Sequence, residues 1–423
     1  MPVRVLLLGG GAREHAIGWK LAHSPDLDVL ISAPGNPGLA RLGAVIPGFD
    51  VTDPAAVTSL AIDNAIDLVV VGPEAPLAAG VVDALDAAGI AAYGPTRAGA
   101  QLESSKAFAK EMMRRAGVPT ADAWTFTSVD EAVAHLETTE PPYVVKADGL
   151  AAGKGVLVTE DLIAAQSWAR LCIEGHFGDA GATVVVEEPL RGEELSVLTF
   201  CDGKRAVALE PARDYKRLLD GDTGPNTGGM GCYSPVADIP DDIVDYVLDQ
   251  VIDPVLAVMA EDGIAYRGFL YAGMILTPEG PKVLEFNCRL GDPETQVILP
   301  RLDEDLLQLL MAATRGELPD RPLRFSETAA VDVVLAAAGY PESPQRGVAI
   351  TGTREIHAEP DVHIFHAGTK HTTRGLVSNG GRVLNVVGRG PDIATARAAA
   401  YRAAEAIDFP GKQYRRDIAE GAR

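Results

Sequence analysis

Apolar and polar positions along the first hundred residues switch repeatedly between two periods. Val3 to Leu8 is an apolar run that ends in Gly9-Gly10-Gly11, the pattern of a buried strand entering a tight turn. Arg13 to Ala22 has helical spacing. Asp28 to Ser32 and Asp67 to Val71 read as further strands, Leu77 to Ala88 as a helix, and Ile90 to Tyr93 as a strand. This βαβ alternation predicts a parallel, doubly wound sheet. Ligands of such sheets lie outside the carboxyl ends of the strands. The loops Gly9 to His15 and Gly72-Pro73-Glu74 are therefore the first candidates.

Further along, Ser104 is placed to cap a helix over Lys106 to Ala116, which Gly117 and Pro119 stop. Residues from about Ala121 to Glu188 read as a compact αβ unit with strands at Tyr143 to Ala147 and Thr183 to Glu187. A mixed region follows to about Phe325, with a helix near Asp241 to Glu261. The last hundred residues begin with a strand, Ala329 to Ala336, and read as a β-rich domain closed by a helix over Ile393 to Ile407. The expected organisation is an N-terminal domain over 1–102, a central domain over 103–325 with a subdomain at about 121–188, and a C-terminal domain over 326–423.

Composition narrows the function classes. A formal charge of -22 argues against a general nucleic-acid binder, which needs clustered Lys and Arg. No apolar run approaches the ~20 residues of a membrane span, and Met1-Pro2-Val3-Arg4 enters a strand without a signal-peptide layout. Cys172, Cys201, Cys232 and Cys288 are far apart, as expected of reduced, partly buried thiols in a cytoplasmic protein. His363, His366 and His371 look metal-like, but no cysteine joins them, and a solvated strand and turn is the expectation.

The stretch Lys282 to Glu294 carries the most chemistry. A short apolar strand delivers Glu285 and Asn287 two residues apart, so both point from one face. Two hard oxygen donors, with Arg289 two further on, suit a magnesium ion carrying nucleotide phosphates. A wet edge strand is the competing reading. The turn Gly9 to His15 offers helix N-terminal amides to a phosphate. Glu14 stands where a dinucleotide fingerprint needs its third glycine, and no ribose-binding acid follows Leu30-Ile31-Ser32. Lys146 to Val156 is a glycine-rich loop between strands with a lysine near each end. It lacks the Ser or Thr of a Walker A loop after Lys154. Only 10 of the 37 basic residues are lysines, yet Lys106, Lys146, Lys154 and Lys216 all fall in these segments, where a compact point charge suits a phosphate. Glu187 to Glu194 follows a strand and could offer backbone groups to an adenine edge. Arg213 to Arg217 precedes the glycine-rich run Asp222 to Gly231.

In this order, the segments resemble the phosphoribosylamine–glycine ligase (glycinamide ribonucleotide synthetase) family of the ATP-grasp superfamily. Pro225-Asn226-Thr227-Gly228-Gly229-Met230-Gly231, Asn287-Cys288-Arg289 and Gly291-Asp292-Pro293-Glu294-Thr295-Gln296 are its most specific matches, and the likeness runs nearly end to end. It departs from the family pattern at Gly10, Ala12, Pro189, Tyr215 and Leu290. The resemblance implies an α/β, ATP-grasp fold with an N-terminal doubly wound parallel-sheet domain and a C-terminal β-rich domain. It implies ATP as co-substrate, Mg2+ or Mn2+ as cofactor, glycine and 5-phosphoribosylamine as substrates, and a monomer.

The expected roles follow from that chemistry. Glu285 and Asn287 hold the metal, and Lys106 and Lys146 contact nucleotide phosphates. Gly153, Lys154 and Gly155 form a lid. Glu187, Glu188 and Leu190 border adenine, and Glu194 meets the ATP ribose. Gly11, Arg13, Glu14 and Glu74 hold the phosphoribosyl substrate. Asp214 lies near its amine with Lys216 beside it, and Arg289 stabilises an acyl phosphate. A formate- or bicarbonate-using sister ligase and a non-catalytic nucleotide sensor are the alternatives.

Overall fold

The computed structural model describes residues 2–151, 155–356 and 359–422. Its first sheet has five parallel strands in the order Ala44–Val45, Leu27–Pro34, Val3–Gly9, Leu68–Val71, Ala91–Tyr93. Val5 to Leu8 and Leu68 to Val71 are fully buried, which is why both read as continuous apolar runs rather than as alternation. The winding reverses between Val3–Gly9 and Leu68–Val71. The loops after these two strands, Gly10-Gly11 and Gly72 to Glu74, therefore face one crevice.

Two local expectations need correction. The helix expected over Leu77 to Ala88 is two helices, Glu74–Ala79 and Val81–Ala87, broken at Gly80, whose φ of 84° is left-handed. Glu74 thus opens a helix of its own at the crevice. The cap of the helix Lys106–Ala116 is Ser105, whose extended backbone lets its Oγ accept the Phe108 N–H at 3.1 Å. Ser104 instead ends a short preceding helix, Gln101–Ser104.

A four-stranded antiparallel sheet, Ala123–Phe126, Val184–Glu187, Tyr143–Ala147 and Val156–Thr159, forms the αβ subdomain. Its helices Val129–Leu136 and Leu162–Leu171 close a separate small core around Val145, Ala169 and Val186. A second antiparallel sheet runs Ala206–Ala208, Glu193–Asp202, Arg267–Thr277, Gly280–Asn287. The remaining cores cross sheet boundaries. Val5, Phe200, Phe269, Phe365 and Val387, from three sheets, belong to one apolar cluster. The αβ subdomain is thus the part with a core of its own, and the rest is fused by shared burial.

The last large sheet is antiparallel, in the order Arg213–Asp214, Gly231–Ser234, Ala329–Ala336, Arg382–Gly390, Val362–His366. Two of its strands come from the middle of the chain, so the segment bearing Asp214 is stitched to the C-terminal sheet. The helix Ile393–Ala406 packs on one face. The helix Ala12–Leu21 meets the strand Val362–His366 through aromatic contacts. This corrects the expectation of solvated histidines. His366 is buried, its N–H donating to His15 Nδ1 at 2.8 Å, and His363 packs against Trp19, leaving His371 exposed. All four cysteines are free and buried. Burial pushes Cys172 up to about 11 and Cys201 to about 12, so they stay as thiols.

Candidate active site

Glu285 and Asn287 lie on the last strand of the second sheet, and a bulge decides what they face. Met274 pairs with Val283 and Gly273 with Glu285, leaving Leu284 as an extra residue. One inserted residue inverts the alternation. Val283 and Phe286 enter the core, while Glu285 and Asn287 turn to the opposite side. The strand is an edge, and Pro119 and Thr120 close it by accepting the Val283 N–H and donating to the Val283 carbonyl. Water reaches Glu285, yet protein surrounds it closely. Burial opposes its charge, but Lys216, Lys146, Lys106 and Arg289 outweigh burial and hold the carboxyl below its ordinary value. Among the described residues no hydrogen bond or ion pair engages it directly. An ionised carboxylate in a cationic field without a direct partner, beside the Asn287 amide, fits a hard divalent ion that also carries phosphates.

Arg289 is the hub that joins this pair to the first domain. Its guanidinium donates to Asn287 Oδ1 at 3.0 Å and pairs with Glu103 at 2.8 Å and Glu74 at 3.3 Å. The two carboxylates differ. Burial lifts Glu103 above its ordinary range even against Arg289. Glu74 is also buried, but Arg289 and Arg13 hold it below its ordinary range. Glu103 accepts the Cys288 N–H at 2.7 Å as well, so it braces both the backbone and the side chain of the Asn287–Arg289 turn.

On the nucleotide side, Lys146 donates to Glu187 at 2.8 Å, and Lys110 approaches the same carboxylate at 3.5 Å. Lys106, at the capped helix N-terminus, reaches the Ala147 carbonyl at 2.8 Å. Burial holds the Lys106 and Lys110 ammoniums below their ordinary values, as for cations short of counter-charge. Glu188 donates its N–H to the Asp122 carbonyl at 3.0 Å and pairs with Lys282. Pro189 has no N–H, so Leu190 supplies the next amide of the connector. Gly155 accepts the Ala147 N–H at 2.7 Å at the mouth of the glycine loop. Gly153 and Lys154 lie outside the described residues.

On the crevice side, Glu14 accepts the Gly11 N–H at 2.6 Å and the Arg13 Nε–H at 2.7 Å, the one half of a capping box that a glycine N-cap allows. Its carboxylate is therefore engaged within the loop. Arg13 also reaches the Leu290 carbonyl at 3.2 Å, tying the loop to Arg289's neighbour. Gly10 is tightly placed, because an added Cβ would lie 2.6 Å from the Gly35 carbonyl oxygen. Asp214 and Lys216 face the same cleft as Glu285. Burial, with Glu294, Glu194 and Glu285 nearby, pushes Asp214 up to about 7 against Lys216. Lys216 pairs with Glu194 at 2.7 Å, and its surrounding acids raise its pKa despite burial. Glu194, expected at the ATP ribose, thus holds a lysine here.

The sequence reading did not single out Glu103, Lys110 or Arg382. Lys110 had a signal, being one helical turn after Lys106 in a chain poor in lysine. Glu103 had none beyond its place before the cap. Arg382 arrives from the C-terminal sheet to donate to the Asp292 carbonyl at 2.6 Å, a contact only tertiary structure creates.

Two antiparallel sheets enclosing a lysine-lined cleft, with an acid–amide pair on the floor and a parallel-sheet crevice at one end, define an ATP-grasp protein. Family models for phosphoribosylglycinamide synthetase match its N domain at residues 3–103, its ATP-grasp domain at 104–295 and its C domain at 330–421. The phosphoribosylamine–glycine ligase of Leifsonia xyli is 50% identical over 99% of this chain and 100% of its own, and that of Streptomyces coelicolor 49% over 99% of each. The crystal structure of the Thermotoga maritima phosphoribosylamine–glycine ligase superposes with a TM-score of 0.87 at 38% identity, covering 99% of this chain and 100% of that one. The biotin carboxylase domain of Hydrogenobacter thermophilus 2-oxoglutarate carboxylase, solved with MgADP, reaches a TM-score of 0.75 at 15% identity over 98% of this chain and 92% of that one, a likeness of fold alone. The chain belongs to the phosphoribosylglycinamide synthetase family.

Proposed function

We propose that this protein joins glycine to 5-phosphoribosylamine, converting ATP to ADP and phosphate and forming glycinamide ribonucleotide for purine biosynthesis. The observation that carries the proposal is the Arg289 hub, which links the acid–amide pair of the nucleotide cleft to Glu74 of the first domain's crevice. A carboxylate is a poor electrophile because its leaving oxide is strongly basic. Transfer of the γ-phosphoryl group to the glycine carboxylate makes glycyl phosphate, whose leaving group is phosphate. The ribosylamine nitrogen then attacks the carbonyl carbon, the C–N bond forms, phosphate departs, and the nitrogen loses a proton.

Such chemistry needs positioning and charge neutralisation rather than a protein nucleophile. Glu285 and Asn287 would hold magnesium or manganese, which supplies positive charge to the nucleotide's phosphate oxygens. Lys106 and Lys146 bind those phosphates, and a lid of Gly153, Lys154 and Gly155 would exclude water from the acyl phosphate. The Glu187 to Leu190 connector borders adenine. Arg289 neutralises the acyl phosphate. Gly11, Arg13 and Glu74 hold the phosphoribosyl group. Asp214 takes the proton of the attacking amine, with Lys216 beside it. The protein works as a monomer in the cytoplasm, a reducing compartment that suits its buried thiols. Among the described residues no helix is long and apolar enough to cross a membrane.

The test is ADP release from magnesium-ATP with fresh phosphoribosylamine, with and without glycine. Glycine-dependent ADP formation matched by amide product is expected. Release indifferent to glycine but supported by formate or bicarbonate would move the protein to a sister ligase. No ADP with all substrates present would leave a nucleotide sensor.

A further inference from the structure

Asp214 and Lys216 flank Tyr215, and extended backbone sends alternate residues to opposite sides. When the two charged groups face the cleft, Tyr215 faces away from it. There it meets the end of the chain. The Ala419 N–H donates to the Tyr215 hydroxyl at 2.9 Å, and the Arg415 guanidinium lies 4.8 Å from the ring centroid. Arg415 is 1% exposed. It donates to Asp222 at 2.6 Å and to the Arg217 carbonyl at 3.2 Å, while Asp417 holds its other edge at 2.6 and 2.7 Å.

Two further bonds run the same way. Gly221 N–H donates to Asp417 at 2.9 Å, and Arg416 N–H donates to Asp220 at 2.7 Å. The segment is itself anchored to the helix Ile393–Ala406. Arg397 donates to the Ile418 and Arg416 carbonyls, and the Tyr401 hydroxyl bonds the Arg415 carbonyl and the Ile418 N–H.

What these contacts hold would otherwise be weakly held. Strands Arg217–Leu219 and Thr223–Asn226 form a ribbon to which no third strand is added among the described residues, and Thr223 to Asn226 are all exposed. A ribbon of that size is marginal by itself. It nevertheless connects Lys216 to the glycine run Thr227 to Gly231.

We infer that the C-terminal segment Arg415 to Ala419 is a strap that positions Asp214 and Lys216 for the amine substrate, acting through Tyr215 and the ribbon Arg217 to Asn226. This rests on the reading that Asp214 and Lys216 meet that substrate. It gives Tyr215, a departure from the family pattern, a role of its own: its hydroxyl takes an amide that would lack that partner, and its ring takes a buried cation.

Three variants test it. Asp222 is exposed and has a φ of 50°, a conformation asparagine tolerates, so Asp222→Asn cuts the strap's ion pair without disturbing a core. Tyr215→Phe removes the hydroxyl alone, and Arg415→Met removes the charge while keeping much of the stem. We expect hydrogen exchange of the amides over 217–226 to speed up by roughly 10-fold or more in each. We expect kcat/KM for phosphoribosylamine to fall by ~10-fold in the first two and ~100-fold in Arg415→Met, the scale of a displacement near 1 Å. KM for ATP should stay within about twofold, because the nucleotide side has its own supports. Arg415→Lys should recover part of the loss. Unchanged kcat/KM in all three folded variants, or a parallel loss of ATP affinity, overturns the inference. Asp214→Asn and Lys216→Met separate the two levels. If they leave kcat/KM for the amine intact, the reading beneath the strap fails, whatever exchange shows at the ribbon.

Discussion

Replacing Glu103 by glutamine tests the central geometry of the cleft. Glu103 is isosteric with glutamine, touches no expected substrate, and holds Arg289 at 2.8 Å while accepting the Cys288 N–H at 2.7 Å. One amide oxygen cannot serve both donors as two carboxylate oxygens do, and the NH2 group meets the guanidinium as a like-signed dipole. A buried charge-assisted bond contributes about 1.5–3 kcal/mol, and breaking a buried pair from one side costs about 3–5 kcal/mol. Two features reduce the loss here. Glu74 remains on Arg289 at 3.3 Å, and burial already disfavours the Glu103 charge, as its raised pKa records. The expected stability loss is therefore about 2 kcal/mol, toward the lower of those ranges. The kinetic loss is larger, because an Arg289 displaced by ~1 Å weakens kcat/KM by ~100-fold. Thermal unfolding and glycine-dependent ADP release measure the two. In an Arg289→Met background the same substitution should add little, since the two residues act as one unit. A Glu103→Gln enzyme that melts earlier yet keeps kcat/KM within about threefold would refute a positioning role, because that role predicts the ~100-fold loss.

Three other outcomes follow from the site. Glu285→Gln should lower turnover by at least ~100-fold with the fold intact and a small fall in melting temperature, because the lysines and Arg289 that hold its pKa down lose their counter-charge, and should shift the magnesium titration by more than ~10-fold, the least that even an outer partner of a metal produces; normal turnover at wild-type magnesium would remove Glu285 from the metal. With Asp214 pushed up to about 7 by burial, kcat/KM for phosphoribosylamine should rise through that pH as the carboxyl ionises, and Asp214→Asn should flatten the rise. The sign for stability is opposite: the raised carboxyl favours the fold below its ordinary range of about 4 and loses that contribution as pH climbs through 7, so the variant should show a shallower decline between those values in chemical denaturation. Gly10→Ala places a Cβ 2.6 Å from the Gly35 carbonyl oxygen and should cost about 1–3 kcal/mol, weakening use of phosphoribosylamine while ADP binding, read by calorimetry, stays as in the parent.

Much was legible from residue order alone. Period two and period 3.6 are local consequences of backbone geometry, so the parallel front domain, the strand Ala329–Ala336 and the closing helix could be read before any contact was known. The residue types at Glu285, Asn287, Arg289 and the lysines named a phosphate-handling cleft by their chemistry. Contact partners were not legible in this way. Strand alternation alone puts Val283, Glu285 and Asn287 on one face, and it took the bulge at Leu284, set by pairing with Arg267–Thr277, to send Val283 to the core and the other two to the cleft. Ser104 and Ser105 are equally good caps as letters, and the backbone path to Phe108 chose between them. His366 looked solvated until the helix Ala12–Leu21 covered it. Glu103, Arg382 and Arg415 became site or strap residues only through elements far away in the chain. A sequence determines which chemistry each position can offer and the local period that presents it. Which groups meet is decided by long-range packing, because burial and ion pairing depend on neighbours that the chain brings together only when it folds.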